Sequence, residues 1–283
     1  MHTTPLFSSS SRRRIEEVHP DFRKHRMDEV TVEEPLEIRL LPSQAPEAVP
    51  LAVTMRTPGH DYELAAGFLW TEGILENPAQ IHRIYYCRNP REPQYFNIVQ
   101  VALQQDVAMD WKRFTRHFYQ TSSCGICGKA SLEAIRVRGV APVKRTFQIS
   151  PSVIRSLPEA LRREQTAFDR TGGLHAAAWF DCEGSLLALR EDVGRHNAVD
   201  KLLGSLFLSG APLHDGILMV SGRASFEIMQ KAAVAGVAMV AAVSAPSSLA
   251  CDLAREFGIT LIGFMRKDRF NIYTGGERVE EER

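Results

Sequence analysis

The sequence predicts an α/β protein: a smaller, mainly antiparallel β N-terminal subdomain, then a domain whose helices cover a parallel sheet. Three observations carry this reading. Apolar residues alternate with a period of two between Val30 and Leu103, as half-buried strands require. After Gly216, short and almost wholly apolar runs take turns with helical spacing, the pattern of β-α-β-α-β units with right-handed crossovers. At 283 residues with 44% hydrophobic content, the chain can bury one large core or two modest ones.

Residues 1–27 are polar and rich in Ser and Arg, and are expected to be a disordered tail because they bring little apolar surface to offset the entropy of ordering. Residues 28–115 hold the mainly-β subdomain. Its strands are marked by Val30 and Val32, by Leu36, Ile38 and Leu40, by Leu51, Val53 and Met55, and by the runs 81–87 and 96–103. One helix is expected after Asp61, read as its N-cap, with Leu64, Phe68 and Leu69 inward and Gly73 ending it.

The α/β domain occupies 116–283, with the boundary between Asp110 and Ser122. Runs 175–180 and 185–191 read as strands joined by a hairpin turn at Asp181-Cys182-Glu183-Gly184. Val199, Leu202, Leu203, Leu206 and Phe207 then follow helical spacing between Gly194 and Gly210. The strands 216–220, 237–243 and 260–264 alternate with helices 226–235 and 246–257. Ligands of such sheets bind beyond the carboxyl ends of the strands. Those ends carry Ser221-Gly222-Arg223, Ser244-Ala245-Pro246 and Met265-Arg266-Lys267-Asp268-Arg269.

Lys and Arg total 34 against 34 Asp and Glu, so no global field recruits nucleic acid or an anionic membrane. No apolar run approaches the roughly 20 residues that span a bilayer, and the opening residues lack the apolar segment of a signal peptide. A cytoplasmic location is the expectation. The cysteine count of five, an odd number, points to reduced thiols rather than a disulfide framework. Cys87, Cys182 and Cys251 lie among apolar neighbours and are expected to be small buried hydrophobes.

Cys124 and Cys127 are different, because they sit two residues apart in Thr121-Ser122-Ser123-Cys124-Gly125-Ile126-Cys127-Gly128-Lys129. The glycines and serines leave this backbone free to swing, and a following helix and lysine favour the thiolate. A structural zinc half-site needs a second ligand pair, and no second CxxC exists. A zinc deaminase needs H-x-E before P-C-x-x-C. Here Ala177 stands two residues beyond His175, and Ser123 precedes Cys124. Covalent sulfur handling, with one thiolate taking sulfane sulfur and the other assisting, is the reading favoured; a thiol-disulfide oxidoreductase and a non-catalytic binding protein remain as alternatives. Asp192, Arg195, His196, Asn197 and Asp200 read as caps and solvating groups at a helix start, His175 as a core histidine, and Trp70 and Trp179 as packing.

Several blocks, in order from about Val30 to Tyr273, together resemble the formate dehydrogenase accessory sulfurtransferase family, FdhD. They are Met55-Arg56-Thr57-Pro58-Gly59, Gly67-Phe68-Leu69-Trp70-Thr71-Glu72-Gly73, Ser123-Cys124-Gly125-Ile126-Cys127-Gly128, Thr171-Gly172-Gly173-Leu174-His175, Glu191-Asp192-Val193-Gly194-Arg195-His196-Asn197, Ser221-Gly222-Arg223, Val243-Ser244-Ala245-Pro246 and Gly263-Phe264 with Asn271-Ile272-Tyr273. The resemblance implies a cytoplasmic, homodimeric sulfur carrier with a cytidine-deaminase-like α/β/α sandwich and no structural metal. It implies persulfide sulfur taken from a cysteine desulfurase onto Cys124, with Cys127 as helper. The sulfur would pass to the molybdenum bis(molybdopterin guanine dinucleotide) cofactor before that cofactor enters formate dehydrogenase. Phe264, Met265, Arg266, Lys267, Asp268 and Arg269 match the family's cofactor-binding segment. Arg266, Lys267 and Arg269 offer donors suited to a diphosphate, with Arg223 a further candidate whose alternative is a salt bridge to Glu227.

Overall fold

The structure is a computed structural model that describes residues 8–43, 45–87, 96–105, 139–144, 146–210, 213 and 215–281. It begins with an antiparallel hairpin, β1 (Ser10–Val18) and β2 (Arg23–Thr31). That corrects the expectation of disorder for residues 10–27, where cross-strand charge complementarity takes the place of apolar burial. The register sets Arg12 opposite Glu29, Arg13 opposite Asp28 and Glu17 opposite Lys24, and opposite charges so placed each contribute roughly 0.2–1 kcal/mol. Arg26 adds ion pairs to Glu17 at 2.8 Å and Asp28 at 2.7 Å. The base of the hairpin is tied down where the Thr31 and Thr171 hydroxyls bond at 2.9 Å.

A four-stranded sheet follows, from β3 (Glu34–Leu41), β4 (Val49–Arg56), β5 (Ile81–Tyr86) and β6 (Ile98–Leu103), in the order β4-β3-β6-β5. It is mainly antiparallel, as expected, with β3 and β6 parallel. Leu36, Ile38, Leu40, Val99 and Val101 point from it onto Leu64, Ala65 and Leu69 of helix α1 (Asp61–Thr71). Asp61 does not cap that helix: His60 is the N-cap, in the left-handed region at φ 58°. The Asp61 carboxylate is instead buried against Arg56, with Nη2 2.9 Å from Oδ2, and accepts the Tyr86 hydroxyl at 3.1 Å. A buried carboxylate needs such partners more than a helix end needs a cap.

The rest of the chain forms α2 (Pro151–Glu164), α3 (Thr166–Thr171), β7 (His175–Phe180), β8 (Leu186–Asp192), α4 (Arg195–Leu208), β9 (Ile217–Val220), α5 (Phe226–Val234), β10 (Met239–Ala242), α6 (Ser248–Glu256), β11 (Thr260–Gly263) and β12 (Asn271–Thr274). Strand order is β12-β11-β10-β9-β7-β8, with β9, β10 and β11 parallel. Ala177, Leu218, Val220, Val240 and Leu261 face one way, onto α4, α5 and α6. Ala176, Phe180, Met219, Ala241 and Ile262 face the other, onto α2. The result is a three-layer α/β/α sandwich, as the resemblance implies. Helix α2 has no counterpart in the sequence reading, although Ser150 caps the Val153 N–H at 3.3 Å and Ile154, Leu157 and Leu161 are buried at helical spacing.

Helix α1 joins the two sheets. One face covers the four-stranded sheet and the other lies on α4 so closely that a Cβ on Gly67 would run into the Asp200 carbonyl and one on Gly204 into the Glu63 carbonyl. Trp70 stacks on Phe207 beside this crossing, with ring centroids 5.0 Å apart. Arg190 of β8 reaches Glu63, Nη2 to Oε1 2.8 Å. Burial would raise the Glu63 pKa, but the Arg190 guanidinium outweighs it and holds the carboxyl down at about 2. Because backbone, not a yielding side chain, lies against each glycine, Gly67→Ala should cost about 2 kcal/mol or more in urea denaturation. A variant within 0.5 kcal/mol or so of the wild type would show that the helices do not touch.

Candidate functional site

The carboxyl ends of the parallel strands form one continuous ledge. Ser221 N–H donates to the Ala176 carbonyl at 2.9 Å, Ser244 N–H to Gly222 at 3.3 Å and Phe264 N–H to Ser244 at 3.1 Å. These bonds set His175, Gly222, Ser244 and Phe264 side by side across three strand spacings, roughly 14 Å.

At one end lies the loop Phe264-Met265-Arg266-Lys267-Asp268-Arg269. Phe264 has φ 50° and leaves its ring 40% exposed, a strained conformation of the kind that collects at binding sites. Met265 is buried in the core beneath rather than exposed on the ledge. Arg266 N–H donates to the Arg269 carbonyl at 2.8 Å, closing a tight turn, and its Nη1 donates to the Val243 carbonyl at 2.8 Å. Lys267, Asp268 and Arg269 are exposed at the tip. Cys124, Cys127 and the expected boundary between Asp110 and Ser122 lie outside the described residues. Cys87, Cys182 and Cys251 are half-buried rather than buried, and burial pushes the Cys182 and Cys251 thiols up. Among the described residues, no three His, Cys, Asp or Glu side chains gather as a metal site.

At the other end the ledge rests on a polar network. Asp192, at the end of β8, is completely buried and takes Lys201 at 2.7 Å, the Thr57 N–H at 3.1 Å and the Gly194 N–H at 2.8 Å. Lys201 also donates to the Thr57 carbonyl at 2.8 Å, and Asn197 to the Met55 carbonyl at 2.7 Å. The run 55–57 of one sheet is thereby bound to the run 191–201 of the other. A second buried pair, Lys231 with Asp200 at 2.9 Å, takes in the Thr71 hydroxyl. Burial alone would lower the Lys231 ammonium, but the Asp200 and Glu72 carboxylates outweigh it and hold it above the usual lysine range. Lys201 and Lys231 went unremarked in the sequence because each sits inside an apolar helical pattern; a lysine there is the signal that could have found them.

Above this network stand His175, Arg195 and His196. His196 Nε2 lies 3.3 Å from the Ser225 hydroxyl and 3.8 Å from Glu227. Burial first, and the Arg195 charge second, lower both imidazoles, His196 to about 4. Arg223 is exposed and makes no salt bridge to Glu227. Trp179 is buried in the core.

This architecture defines a protein whose α/β/α sandwich presents a ledge at the carboxyl ends of its parallel strands and carries a second β sheet through a glycine-matched helix pair. The comparisons make the class specific. The FdhD/NarQ family model matches residues 31–280. Proteins named "Sulfur carrier protein FdhD" are 48% identical over 275 residues in Streptomyces coelicolor, covering 95% of both chains, and 45% identical over 278 residues in Mycobacterium tuberculosis, covering 96% of this chain and 99% of that one. The crystal structure of a putative formate dehydrogenase accessory protein from Desulfotalea psychrophila has the same fold, with a TM-score of 0.74, 24% identity and coverage of 96% of this chain and 100% of that one. The chain belongs to the FdhD/NarQ family.

The lowered imidazoles give a direct check. Carbon shifts of the His196 ring should show a neutral side chain from pH 8 down to about 5, where a solvated histidine would already be largely charged. A midpoint near 6.5 would contradict the buried, cationic setting described here.

Proposed function

We propose that the chain is a sulfur carrier that serves formate dehydrogenase. The observation that carries this reading is its nearly full-length relation to proteins named for sulfur carriage. In the proposed first step a cysteine desulfurase persulfide meets the Cys124 thiolate; the terminal sulfur moves to Cys124 and the desulfurase thiolate leaves. Release as sulfide needs two electrons, which Cys127 supplies by attacking the inner sulfur: a Cys124–Cys127 disulfide forms, hydrosulfide departs, and a dithiol reductant restores the pair. The acceptor substrate is the molybdenum bis(molybdopterin guanine dinucleotide) cofactor.

The ledge suits that substrate chemically. The exposed Phe264 ring offers a flat apolar face, and Arg266, Lys267 and Arg269 offer cationic donors to phosphate. We place the reaction in the cytoplasm and in a homodimer. No helix among the described residues is long and apolar enough to cross a membrane.

Incubation with a desulfurase and cysteine should add the mass of one sulfur to the intact chain and none to Cys124→Ala. A gain that survives Cys124→Ala overturns the carrier assignment, and full support of formate dehydrogenase by Cys124→Ala in cells would favour a non-catalytic binding role. Guanosine diphosphate should bind the wild type about tenfold or more tightly than Lys267→Ala/Arg269→Ala, since charge-assisted hydrogen bonds contribute roughly 1.5–3 kcal/mol each. Equal affinities would remove the loop from the binding surface.

A further inference from the structure

The cluster of His175, Arg195 and His196 is left unused by the sulfur chemistry and by the Phe264–Arg269 loop, yet it stands on the same ledge. Arg195 is the key group. Its Nε is sealed from solvent and has no hydrogen-bond partner, and among the described residues no carboxylate forms a salt bridge with it. Two acids of the surroundings are otherwise engaged: Asp192 is held by Lys201 at 2.7 Å, and Glu227, whose side chain is 58% exposed, leans on His196 at 3.8 Å. A buried, uncompensated guanidinium N–H costs free energy unless something accepts its hydrogen bond.

Beside Arg195 stand two imidazoles as well as the acidic Glu227. His175 begins β7 directly opposite Gly222, where a Cβ would come within 3.3 Å of the His175 Nδ1 and 3.8 Å of the Arg195 Cδ. A side chain at position 222 would therefore crowd the imidazole. No described residue hydrogen-bonds the His175 ring, while His196 has the Ser225 hydroxyl at 3.3 Å. An imidazole kept neutral can still donate an N–H without adding to the crowding of positive charge. The ionisable surroundings include Asp192 and Lys201 below, Arg195 and His196 on α4, Glu227 and Lys231 on α5 and exposed Arg223 after β9.

We propose that Arg195, His175 and His196 form a binding site for a phosphoryl group, at the opposite end of the ledge from Phe264. A guanidinium fork flanked by two N–H donors suits a tetrahedral oxyanion. The separation of roughly 14 Å along three strand spacings lets one extended ligand place a planar ring at Phe264 and a phosphate at Arg195. The identity of that extended ligand rests on the proposed cofactor role; the phosphoryl site does not.

Inorganic pyrophosphate tests the site without sulfur, desulfurase or cofactor, so a failed sulfur-loading experiment and a failed pyrophosphate experiment point to different errors. By titration calorimetry at pH 7, full-length Lys267→Ala/Arg269→Ala, in which the exposed loop donors are removed, should bind one pyrophosphate. Adding Arg195→Gln should weaken it about tenfold or more, and adding Gly222→Ala, which crowds the His175 ring without altering charge, should weaken it comparably. Unfolding midpoints of both variants confirm that they are folded. Should either variant fail to fold, the wild type decides alone: pyrophosphate should shift the His175 and His196 ring resonances together. Absence of pyrophosphate binding, undiminished affinity in folded Arg195→Gln, or histidine resonances that do not move overturns the site.

Discussion

Gly67 of α1 and Gly204 of α4 meet backbone to backbone, and neither position has room for a Cβ. That contact fixes how far the β4–α1 segment stands from the sandwich. Thr57 then sits close enough for its N–H to reach Asp192 at 3.1 Å and its carbonyl to accept Lys201 at 2.8 Å. Buried charges are tolerated only when every partner is in place, and removing one member of such a pair typically costs about 3–5 kcal/mol. The glycine crossing and the ion pairs thus depend on each other: the first sets the distance, and the second makes any other distance expensive.

The consequence reaches the ligand ledge through Asp192. Its carboxylate binds Lys201, Thr57 and Gly194 together, which anchors the turn from β8 into α4. Arg195 and His196 are the next residues and inherit their positions from it. At the far end, Phe264 and Arg266 are held by main-chain hydrogen bonds to Ser244 and Arg269 and by the Arg266 side chain on Val243.

Much of this was legible in the sequence. The apolar runs 216–220 and 237–243 mark strands that the structure places at Ile217–Val220 and Met239–Ala242, and the hairpin at Asp181–Gly184 is marked by its turn residues. The N-terminal hairpin was not legible from composition, since Arg12, Glu17, Arg26 and Glu29 pair across strands without forming an apolar stripe. Asp61 misled because an aspartate before a helix looks like a cap, while Arg56, five residues earlier, claims it. The place of the Phe264–Arg269 loop, just after a parallel strand, could be read from the sequence. The gathering of His175, Arg195 and His196 could not: each alone resembles a core histidine or a helix-start residue, and only the pairing of His175 opposite Gly222 brings them together.

The central functional claim is that sulfur held by this chain reaches a molybdenum guanine dinucleotide cofactor. It is tested most directly by loading the protein with radiolabelled sulfur from cysteine and a desulfurase, removing the desulfurase, adding the cofactor and following the label. Label should leave the protein and appear in the cofactor in equal amount, and the treated cofactor should activate formate dehydrogenase. Label that stays on the protein, or leaves only as free sulfide with the cofactor unlabelled, would contradict it.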